Sequence, residues 1–175
     1  MRFALTPITR ADAQAISRWR YDRPYAVYNG SPASIASLLE PRYLYHSVHD
    51  GHGDLVGYFC FGEDARVSAG RRSGVYESED ALDVGLGMRP DLTGRGLGEK
   101  FVRAGLQFAG ETYSPPAFRL TVATFNHRAI RVYERAGFER VETFGATRMN
   151  GEREWLLMRR GRPSLQPEEV RGQDA

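Results

Sequence analysis

A glycine stands at every second position of Gly94-Arg95-Gly96-Leu97-Gly98, between a strand-like and a helix-like stretch. A backbone without side chains can approach a phosphate closely, and the first N–H groups of a helix have no partner within it. Hydrogen bonds from such groups to a charged oxygen contribute about 1.5–3 kcal/mol each, against under about 1 kcal/mol for the helix dipole. The pattern predicts a pyrophosphate site, although a tight strand-to-helix turn without a ligand has the same sequence.

Two familiar phosphate-binding motifs are excluded by the spacing. A dinucleotide-binding fingerprint needs Gly-x-Gly-x-x-Gly, and Glu99 stands where its third glycine would fall. A P-loop needs Gly-Lys-Ser/Thr after four intervening residues, and the sequence has no such segment. A phosphate site at this turn is therefore of another kind.

A second segment, residues 126–138, carries the pattern Asn-x-x-Ala-x-x-x-Tyr-x-x-x-Gly-Phe. Each position also has a purely structural explanation. Asn126 is a good helix N-cap, Tyr133 fits a core aromatic, and Gly137 followed by Phe138 is typical of a helix stop. Taken one position at a time, the segment does not decide between a ligand site and an ordinary helix.

Apolar periodicity predicts the elements that position these two segments. Alternating apolar residues over 82–88 indicate a buried strand that ends before Pro90. A helix over 97–110 should follow, stopped by Gly110, with an inner face of Leu97, Phe101, Ala104 and Phe108. The second segment would lie on a strand over 118–125 and a helix with Arg128, Arg131 and Arg135 outside and an inner stripe of Ala129, Val132, Tyr133 and Ala136.

The remaining elements are predicted from caps, alternation and turn signals. We expect a strand over 2–6, a helix capped by Thr9, and a short helix capped by Ser31 through about Glu40. Strands over 43–48 and 55–61 would form a hairpin through Asp50-Gly51, and residues 63–80 a long surface loop. Strands over 139–149 and 152–159 would form a second hairpin across Asn150-Gly151.

Length and composition indicate one globular domain. The 175 residues predict a domain over 1–160 and a disordered tail over 161–175. A net charge of +2 gives no argument for nucleic acid or an anionic membrane as a partner. The sequence shows no signal peptide and no run near the roughly 20 apolar residues that span a bilayer. Cys60 is the only cysteine, which excludes an internal disulfide and indicates a packed core thiol in the reducing cytoplasm.

The order of these elements, with the glycine turn and the Asn–Tyr helix, closely resembles the GNAT superfamily of N-acetyltransferases. The resemblance covers residues 2–160 and is specific over Leu82–Phe138. The family signature is Gln/Arg-x-x-Gly-x-Gly/Ala, and Thr93 stands here in place of the expected Gln or Arg. Because such a turn contacts phosphate mainly through its backbone, the prediction of a cofactor site stands.

The resemblance implies an α/β fold, a twisted mixed sheet with helices on both faces and two strands that splay apart around the pantetheine arm of acetyl-CoA. It implies no metal ion. The cofactor-binding residues that it implies are Met88, Arg89 and Pro90 for the pantetheine amides, Thr93, Gly94, Arg95, Gly96, Leu97, Gly98 and Glu99 around the pyrophosphate, Asn126 beside the pantetheine, and Tyr133 near the thioester sulfur.

The implied reaction is direct attack of a neutral amine on the acetyl thioester in a ternary complex. A backbone N–H near the end of the 82–88 strand would stabilise the oxyanion, and Tyr133 would protonate the departing thiolate. Asp83 is a candidate general base, and a carboxylate that merely ties down a neighbouring loop fits the same position. Where some family members carry a glutamate before the Asn, this chain has Thr121.

The acceptor site should lie where an aromatic stretch and the 63–80 segment meet the mouth of the cleft. The aromatic residues concerned are Trp19, Tyr21, Tyr25 and Tyr28. Acidic residues of the 63–80 segment would favour a cationic amine, although a solvated loop over a minor core fits as well. The acceptor would be a small amine or a peptide or protein N-terminus, and the protein a monomer or homodimer. A non-catalytic acyl-CoA sensor and a peptide-binding domain remain alternative functions.

Overall fold

The structure is a computed structural model, and it describes residues 2–145 and 153–161. In these residues seven strands and five helices follow one another along the chain. They are β1 (Phe3–Pro7), α1 (Arg10–Ser17), α2 (Ser34–Leu38), β2 (His46–Asp50), β3 (Leu55–Phe61), α3 (Ser68–Ser73), β4 (Leu82–Met88), α4 (Gly98–Tyr113), β5 (Ala117–Ala123), α5 (His127–Arg135), β6 (Glu139–Phe144) and β7 (Trp155–Gly161).

The strands form one mixed sheet in the order β1-β2-β3-β4-β5-β7-β6. Neighbouring strands are antiparallel except β4 and β5, which run parallel and pair only at Leu82 with Phe118 and at Asp83 with Arg119. Beyond that point the two strands separate. The predicted α/β fold with a mixed sheet and a splayed strand pair is confirmed.

The two faces of the sheet carry different clusters. The main core lies between the sheet and helices α4 and α5, and its centre is the stacked rings of Phe59 and Phe101, 4.9 Å apart. Gly105 is required there, because a Cβ at that position would lie 2.2 Å from Cζ of Phe59. On the other face, Ala13 and Ile16 of α1 pack with Leu38 of α2, and a third cluster centres on Tyr76, Phe144 and Leu157. No helix in residues 2–145 or 153–161 combines the length and apolarity needed to cross a bilayer.

The helix cap predicted at Thr9 and the helix stop predicted at Gly137 are confirmed. The Thr9 hydroxyl accepts a hydrogen bond from the Asp12 N–H at 3.1 Å, and the Asp12 carboxylate accepts one from the Thr9 N–H. Gly137 has φ +92°, the left-handed conformation that a glycine adopts without strain. Phe138 then packs against Tyr133, with ring centroids 6.2 Å apart.

Two predictions about helices are wrong. Helix α4 continues through Gly110 to Tyr113 and ends at Ser114, which is left-handed, directly before Pro115-Pro116. The apolar face of α4 outweighs one glycine, which costs only about 1 kcal/mol inside a helix. Residues 63–80 are not an irregular surface loop, because they contain a 3-10 turn over Glu63–Ala65, helix α3 and the buried Tyr76.

Other differences concern element ends. Helix α2 is shorter than predicted, and no side chain caps it, since the Ser31 carbonyl rather than its hydroxyl accepts hydrogen bonds from Ser34. Strand β2 begins three residues later than predicted. Strands β6 and β7 pair antiparallel as the second hairpin requires. The turn predicted at Asn150-Gly151 and the tail predicted over 161–175, apart from Gly161, lie outside the described residues.

Candidate active site

A cleft of about 410 Å³ opens where β4 and β5 separate. Its walls come from both strands, from the glycine turn and the start of α4, from α5, and from the tyrosine segment, which we define as residues 21–28. The chemistry-bearing side chains that line it are Tyr21, Tyr25, Tyr28, Tyr58, Thr93, Thr121, Asn126, Arg128, Arg131, Tyr133 and Arg135.

The open edge of β4 presents main-chain groups to this cleft. In an antiparallel pair, hydrogen-bonded and non-hydrogen-bonded residues alternate along the strand. The Gly62 N–H donates to the Asp83 carbonyl at 2.8 Å and the Arg89 N–H donates to the Val56 carbonyl at 2.9 Å, so the odd-numbered peptide groups of β4 face β3. The N–H and C=O groups of Leu86 and Met88 therefore face β5, from which the strand has separated.

This alternation shows which of the implied pantetheine-binding residues have peptide groups that face the cleft. Met88 lies on the open edge, as expected. Arg89 does not, because its N–H is bound to β3 and its guanidinium bonds Asp91 at 2.8 Å and the Leu55 carbonyl at 2.9 Å. Pro90 has no N–H, and its carbonyl accepts hydrogen bonds from the N–H and hydroxyl of Thr93. Leu86, which the sequence-based set omitted, has its N–H and C=O on the open edge.

The glycine turn leads directly into α4. Gly94 and Gly96 both have φ +77°, a conformation that L side chains rarely adopt. Gly98 packs against α5, where a Cβ would lie 3.0 Å from Cγ2 of Val132. The residue at the N-cap is Leu97, which has no polar side-chain atom, whereas Thr9 and Asn126 cap α1 and α5 with their side chains. The first N–H groups of α4 are therefore left for a ligand.

Arginines provide positive charge beside this turn. Arg128, Arg131 and Arg135 line the cleft, although the periodicity of α5 placed them on its outer face. Nη1 of Arg128 lies 3.4 Å from where a Cβ on Gly94 would be. Glu99, the acidic residue of the first turn of α4, is held by Arg103 at 3.0 Å and Arg135 at 3.3 Å. An anion at the turn would meet guanidinium groups and a neutralised carboxylate.

Asn126 and Tyr133 lie on the opposite wall from β4. The Asn126 side chain accepts a hydrogen bond from the Ala129 N–H at 3.2 Å and donates to the Tyr28 hydroxyl at 3.5 Å. Tyr133 lines the cleft about two turns further along α5, and its ring rests on Phe138. Burial raises the pKa of the Tyr133 phenol above its ordinary value, so the hydroxyl keeps its proton at neutral pH.

The tyrosine segment covers the mouth of the cleft. The Tyr21 hydroxyl donates to the Met88 carbonyl at 2.8 Å, on the β4 side. Tyr25 and Tyr28 pack against Phe125 on the β5 side, with ring centroids 6.0 and 6.5 Å away, and Arg128 lies 4.6 Å above the Tyr25 ring.

Trp19, the fourth aromatic residue predicted at this mouth, lies elsewhere. It packs against Tyr58 at 6.2 Å in the small core beneath α1, and the cleft lining does not include it. The prediction treated residues 19–28 as one aromatic group. Trp19 follows the end of α1 closely, so it stays with the inner face of that helix.

Asp83 is not part of the cleft lining either. It is 2% exposed, and its carboxylate bonds Arg119 at 2.6 and 2.9 Å and Arg66 at 2.7 Å. Asp83 and Arg119 form the last pair before the strands separate, and Arg66 comes from the segment before α3. This geometry fits the alternative interpretation, a carboxylate that fixes a neighbouring segment, and we assign Asp83 no catalytic role.

Two further lining residues carry no simple sequence signal. Tyr58 lies across Gly87, where a Cβ would come within 2.4 Å of its ring. The alternation of Gly85 and Gly87 in β4 was a usable signal, because glycines inside a strand often mark a close approach by another group. Thr121 lies on β5 with its hydroxyl 2.7 Å from the hydroxyl of Tyr76, a contact between residues 45 positions apart that no local pattern encodes.

Comparison with known proteins shows the family. Residues 2–139 match the model of the acetyltransferase (GNAT) domain. The N-alpha-acetyltransferase RimI of Mycobacterium tuberculosis is 32% identical over 137 residues, an alignment covering 77% of each chain. The mycothiol acetyltransferase of Mycolicibacterium paratuberculosis is also 32% identical, over 61% of this chain, which spans only 43% of that protein's length. The chain belongs to the GNAT family of acetyltransferases.

Solved structures agree at the level of the fold. AAC(6')-Ib in complex with paromomycin and acetyl-CoA superposes with a TM-score of 0.69 at 20% identity, covering 99% of this chain and all of the other. A chimera of the spermidine N-acetyltransferase SpeG from Vibrio cholerae superposes with a TM-score of 0.68 at 17% identity, covering 92% of this chain and 96% of the other. Both are acetyltransferases with the same mixed sheet.

Proposed function

We propose that this protein transfers the acetyl group of acetyl-CoA to a primary amine, by direct attack of the amine within a ternary complex. The observation that carries the proposal is the free edge of β4, with the Leu86 and Met88 peptide groups facing a cleft that leads to an uncapped helix N-terminus. A pantetheine arm needs amide partners along its length and a pyrophosphate needs N–H donors at its end, and the cleft offers both.

The glycine turn follows the carboxyl end of β4, so a cofactor held there by its pyrophosphate extends its arm back along β4 toward the apex. The apex is the point just beyond Asp83 and Arg119 where the two strands separate. Arg128 would add charge-assisted contacts to the phosphates. AAC(6')-Ib is described with acetyl-CoA bound, which supports the same donor for this chain.

The chemistry requires little more than positioning and one proton. The amine nitrogen forms a bond to the thioester carbon, the carbon–sulfur bond breaks, and the sulfur leaves as a thiolate. The nitrogen loses one proton to solvent, and solvent returns a proton to Tyr133 after that residue has protonated the sulfur. Holding both reactants in one cleft removes much of the entropic barrier. A β4 N–H on the open edge would stabilise the charge that develops on the carbonyl oxygen. Tyr133, protonated because burial raises the pKa of its phenol, would give its proton to the thiolate.

The acceptor would enter under the tyrosine segment, from the face of the sheet opposite α4 and α5. The relatives and structural neighbours carry names that refer to α-amines, mycothiol, aminoglycosides and spermidine. For this chain we propose a small amine or the N-terminus of a peptide or protein. We place the reaction in the cytoplasm, because the lone buried Cys60 suits a reducing compartment, and expect a monomer or homodimer.

Two other functions make different predictions for the same cleft. An acyl-CoA sensor would bind the cofactor without releasing thiol, and a peptide-binding domain would ignore it. Thermal unfolding with acetyl-CoA, with CoA and with neither tests the first step, because a ligand at 100 times its Kd adds about 2.7 kcal/mol to the free energy of unfolding. Thiol detection across a broad amine panel tests the second. Stabilisation with thiol release supports the enzyme, and stabilisation without release contradicts it.

A further inference from the structure

We propose that Thr121 is a specificity residue of the acceptor site, and that its hydroxyl donates a hydrogen bond to a carbonyl or carboxylate oxygen next to the attacking amine. The acceptor is then an α-amino acid derivative or the α-amine of a peptide. This inference rests on the proposed acetyltransferase function and names the substrate class of that site.

The Tyr76 and Thr121 hydroxyls share a short contact, and only one of them can donate its proton to the other. The Tyr76 hydroxyl accepts a hydrogen bond from the Val67 N–H at 3.2 Å and lies 2.7 Å from the Thr121 hydroxyl. Tyr76 is 6% exposed, so its own proton needs a protein acceptor, and among the described residues Thr121 is the one within reach. Tyr76 is therefore the donor. Thr121 accepts, and its own proton is directed elsewhere.

Thr121 lies at the apex of the cleft. It is the second residue of β5 after Arg119, where pairing with β4 ends, and it lines the cleft. Strand alternation puts it on the same face as Arg119, the face opposite α4 and α5. Gly85 stands at the matching position of β4, also two residues after the last pair, and has no side chain. Of the side chains that β4 and β5 contribute to the described lining on this face, Thr121 is thus the one that can form hydrogen bonds at the apex.

The orientation of Thr121 is fixed by a buried cluster rather than by the acceptor. The Tyr76 ring packs against Phe144, and the guanidinium groups of Arg66 and Arg119 lie 5.6 and 5.1 Å from its centroid. Both arginines form ion pairs with Asp83. The Tyr76 hydroxyl is therefore held in place without a substrate, and Thr121 is preorganised as a donor.

A hydrogen-bond donor at the apex can serve only certain atoms of the acceptor. A hydrogen bond to the amine lone pair would block the attack, so the proton of Thr121 must serve a neighbouring atom of the acceptor. The reacting nitrogen is bonded to one carbon of the acceptor. An oxygen on the next carbon would lie close enough to that nitrogen to accept a hydrogen bond from the Thr121 hydroxyl. Amino acid amides and peptide N-termini have such an oxygen, and simple alkylamines and polyamines lack it.

The charge of the cleft points the same way. Within residues 2–145 and 153–161 the cleft lining contains three arginines and no carboxylate. Asp83, the nearby buried carboxylate, forms ion pairs with Arg66 and Arg119. The acidic residues of the 63–80 segment, which were expected to attract a cationic amine, do not line the cleft. Glu63, for example, is exposed and forms an ion pair with Arg71. A polycationic acceptor would therefore meet no carboxylate among the described residues that line the cleft.

The test uses the full-length protein with a panel of amino acid amides, peptides with the same first residues, and the matching alkylamines, for example alaninamide against 2-aminobutane. Thr121→Val removes the hydroxyl at nearly constant shape, and Thr121→Ser retains it. We expect Thr121→Val to lower the ratio of kcat/KM for the amide to kcat/KM for the matching amine by about tenfold, mainly through KM of the amide. Thr121→Ser should restore the ratio, and Tyr76→Phe should lower it partway.

The ratio between two acceptors cancels their different basicities and any general loss of activity. Stabilisation of each variant by acetyl-CoA shows that its fold and donor site are intact. An unchanged ratio in Thr121→Val, no rescue by serine, or a wild-type preference for oxygen-free amines would overturn the inference while leaving the acetyltransferase intact. Absence of thiol release from the wild type with every amine would instead overturn the proposed function.

Discussion

The hydroxyl of Tyr21 donates a hydrogen bond of 2.8 Å to the main-chain carbonyl of Met88. Met88 is on the open edge of β4, and its carbonyl is one of the groups that a pantetheine amide would use. The tyrosine segment also touches the other wall, through Tyr28 with Asn126 and Tyr25 with Arg128. The segment that we propose for the acceptor side thus also occupies part of the proposed donor side.

We predict that Tyr21→Phe lowers the Kd for acetyl-CoA by a few-fold, because the Met88 carbonyl is then free for the cofactor. A net hydrogen bond is worth about 0.5–1.5 kcal/mol, which sets the size of the effect. Isothermal titration calorimetry measures it. Tyr25→Phe is the matched control, since among the described residues the Tyr25 hydroxyl makes no hydrogen bond. Weaker binding by Tyr21→Phe would mean that the phenol helps to hold the cofactor instead.

Local chemistry determined what the sequence could predict. The N-cap at Thr9 and the left-handed Gly137 depend on neighbours within four residues, and both were predicted correctly. Arg89 and Tyr76 depend on β3 and on Thr121, which lie 33 and 45 positions away, and both were missed. The resemblance supplied the splayed strands. The main-chain groups of β4 that remain unpaired could be identified only from the register of its pairing with β3.

Alanine substitutions at two left-handed glycines separate the effect of backbone strain from the loss of a ligand site. Gly96 has φ +77° and Gly53, in the β2–β3 turn, has φ +86°, and a Cβ at either would meet nothing within 4 Å. We expect Gly96→Ala and Gly53→Ala each to lose about 1–2 kcal/mol of stability from the left-handed conformation alone. Only Gly96→Ala should also raise the Kd for acetyl-CoA. Equal cofactor binding by the two variants, after urea denaturation confirms equal strain, would remove the turn from the binding site.

The assignment of Asp83 to structure predicts a loss of stability without a change in the proton chemistry. Asp83→Asn leaves Arg119, 3% exposed, without its carboxylate, and breaking a buried pair in this way costs about 3–5 kcal/mol. Asp80→Asn is the control, because that carboxylate is 55% exposed in its pair with Arg159, where solvent screens the interaction, and its loss should cost far less stability. Chemical denaturation measures both. A displaced pH–rate profile in a folded Asp83→Asn protein would return Asp83 to the list of candidate bases.

Tyr133→Phe tests the proton donor. The variant keeps the ring that packs on Phe138 and loses the hydroxyl, so kcat should fall by about 10²–10⁴-fold while KM for acetyl-CoA changes little. Since burial raises the pKa of this phenol above its ordinary value near 10, deprotonation of Tyr133 should not lower kcat of the wild type between pH 7 and about 10. Tyr28→Phe, which removes a hydroxyl from the same cleft, is the control and should retain most of kcat. A kcat within a few-fold of wild type in Tyr133→Phe would mean that the thiolate takes its proton from solvent or leaves without one.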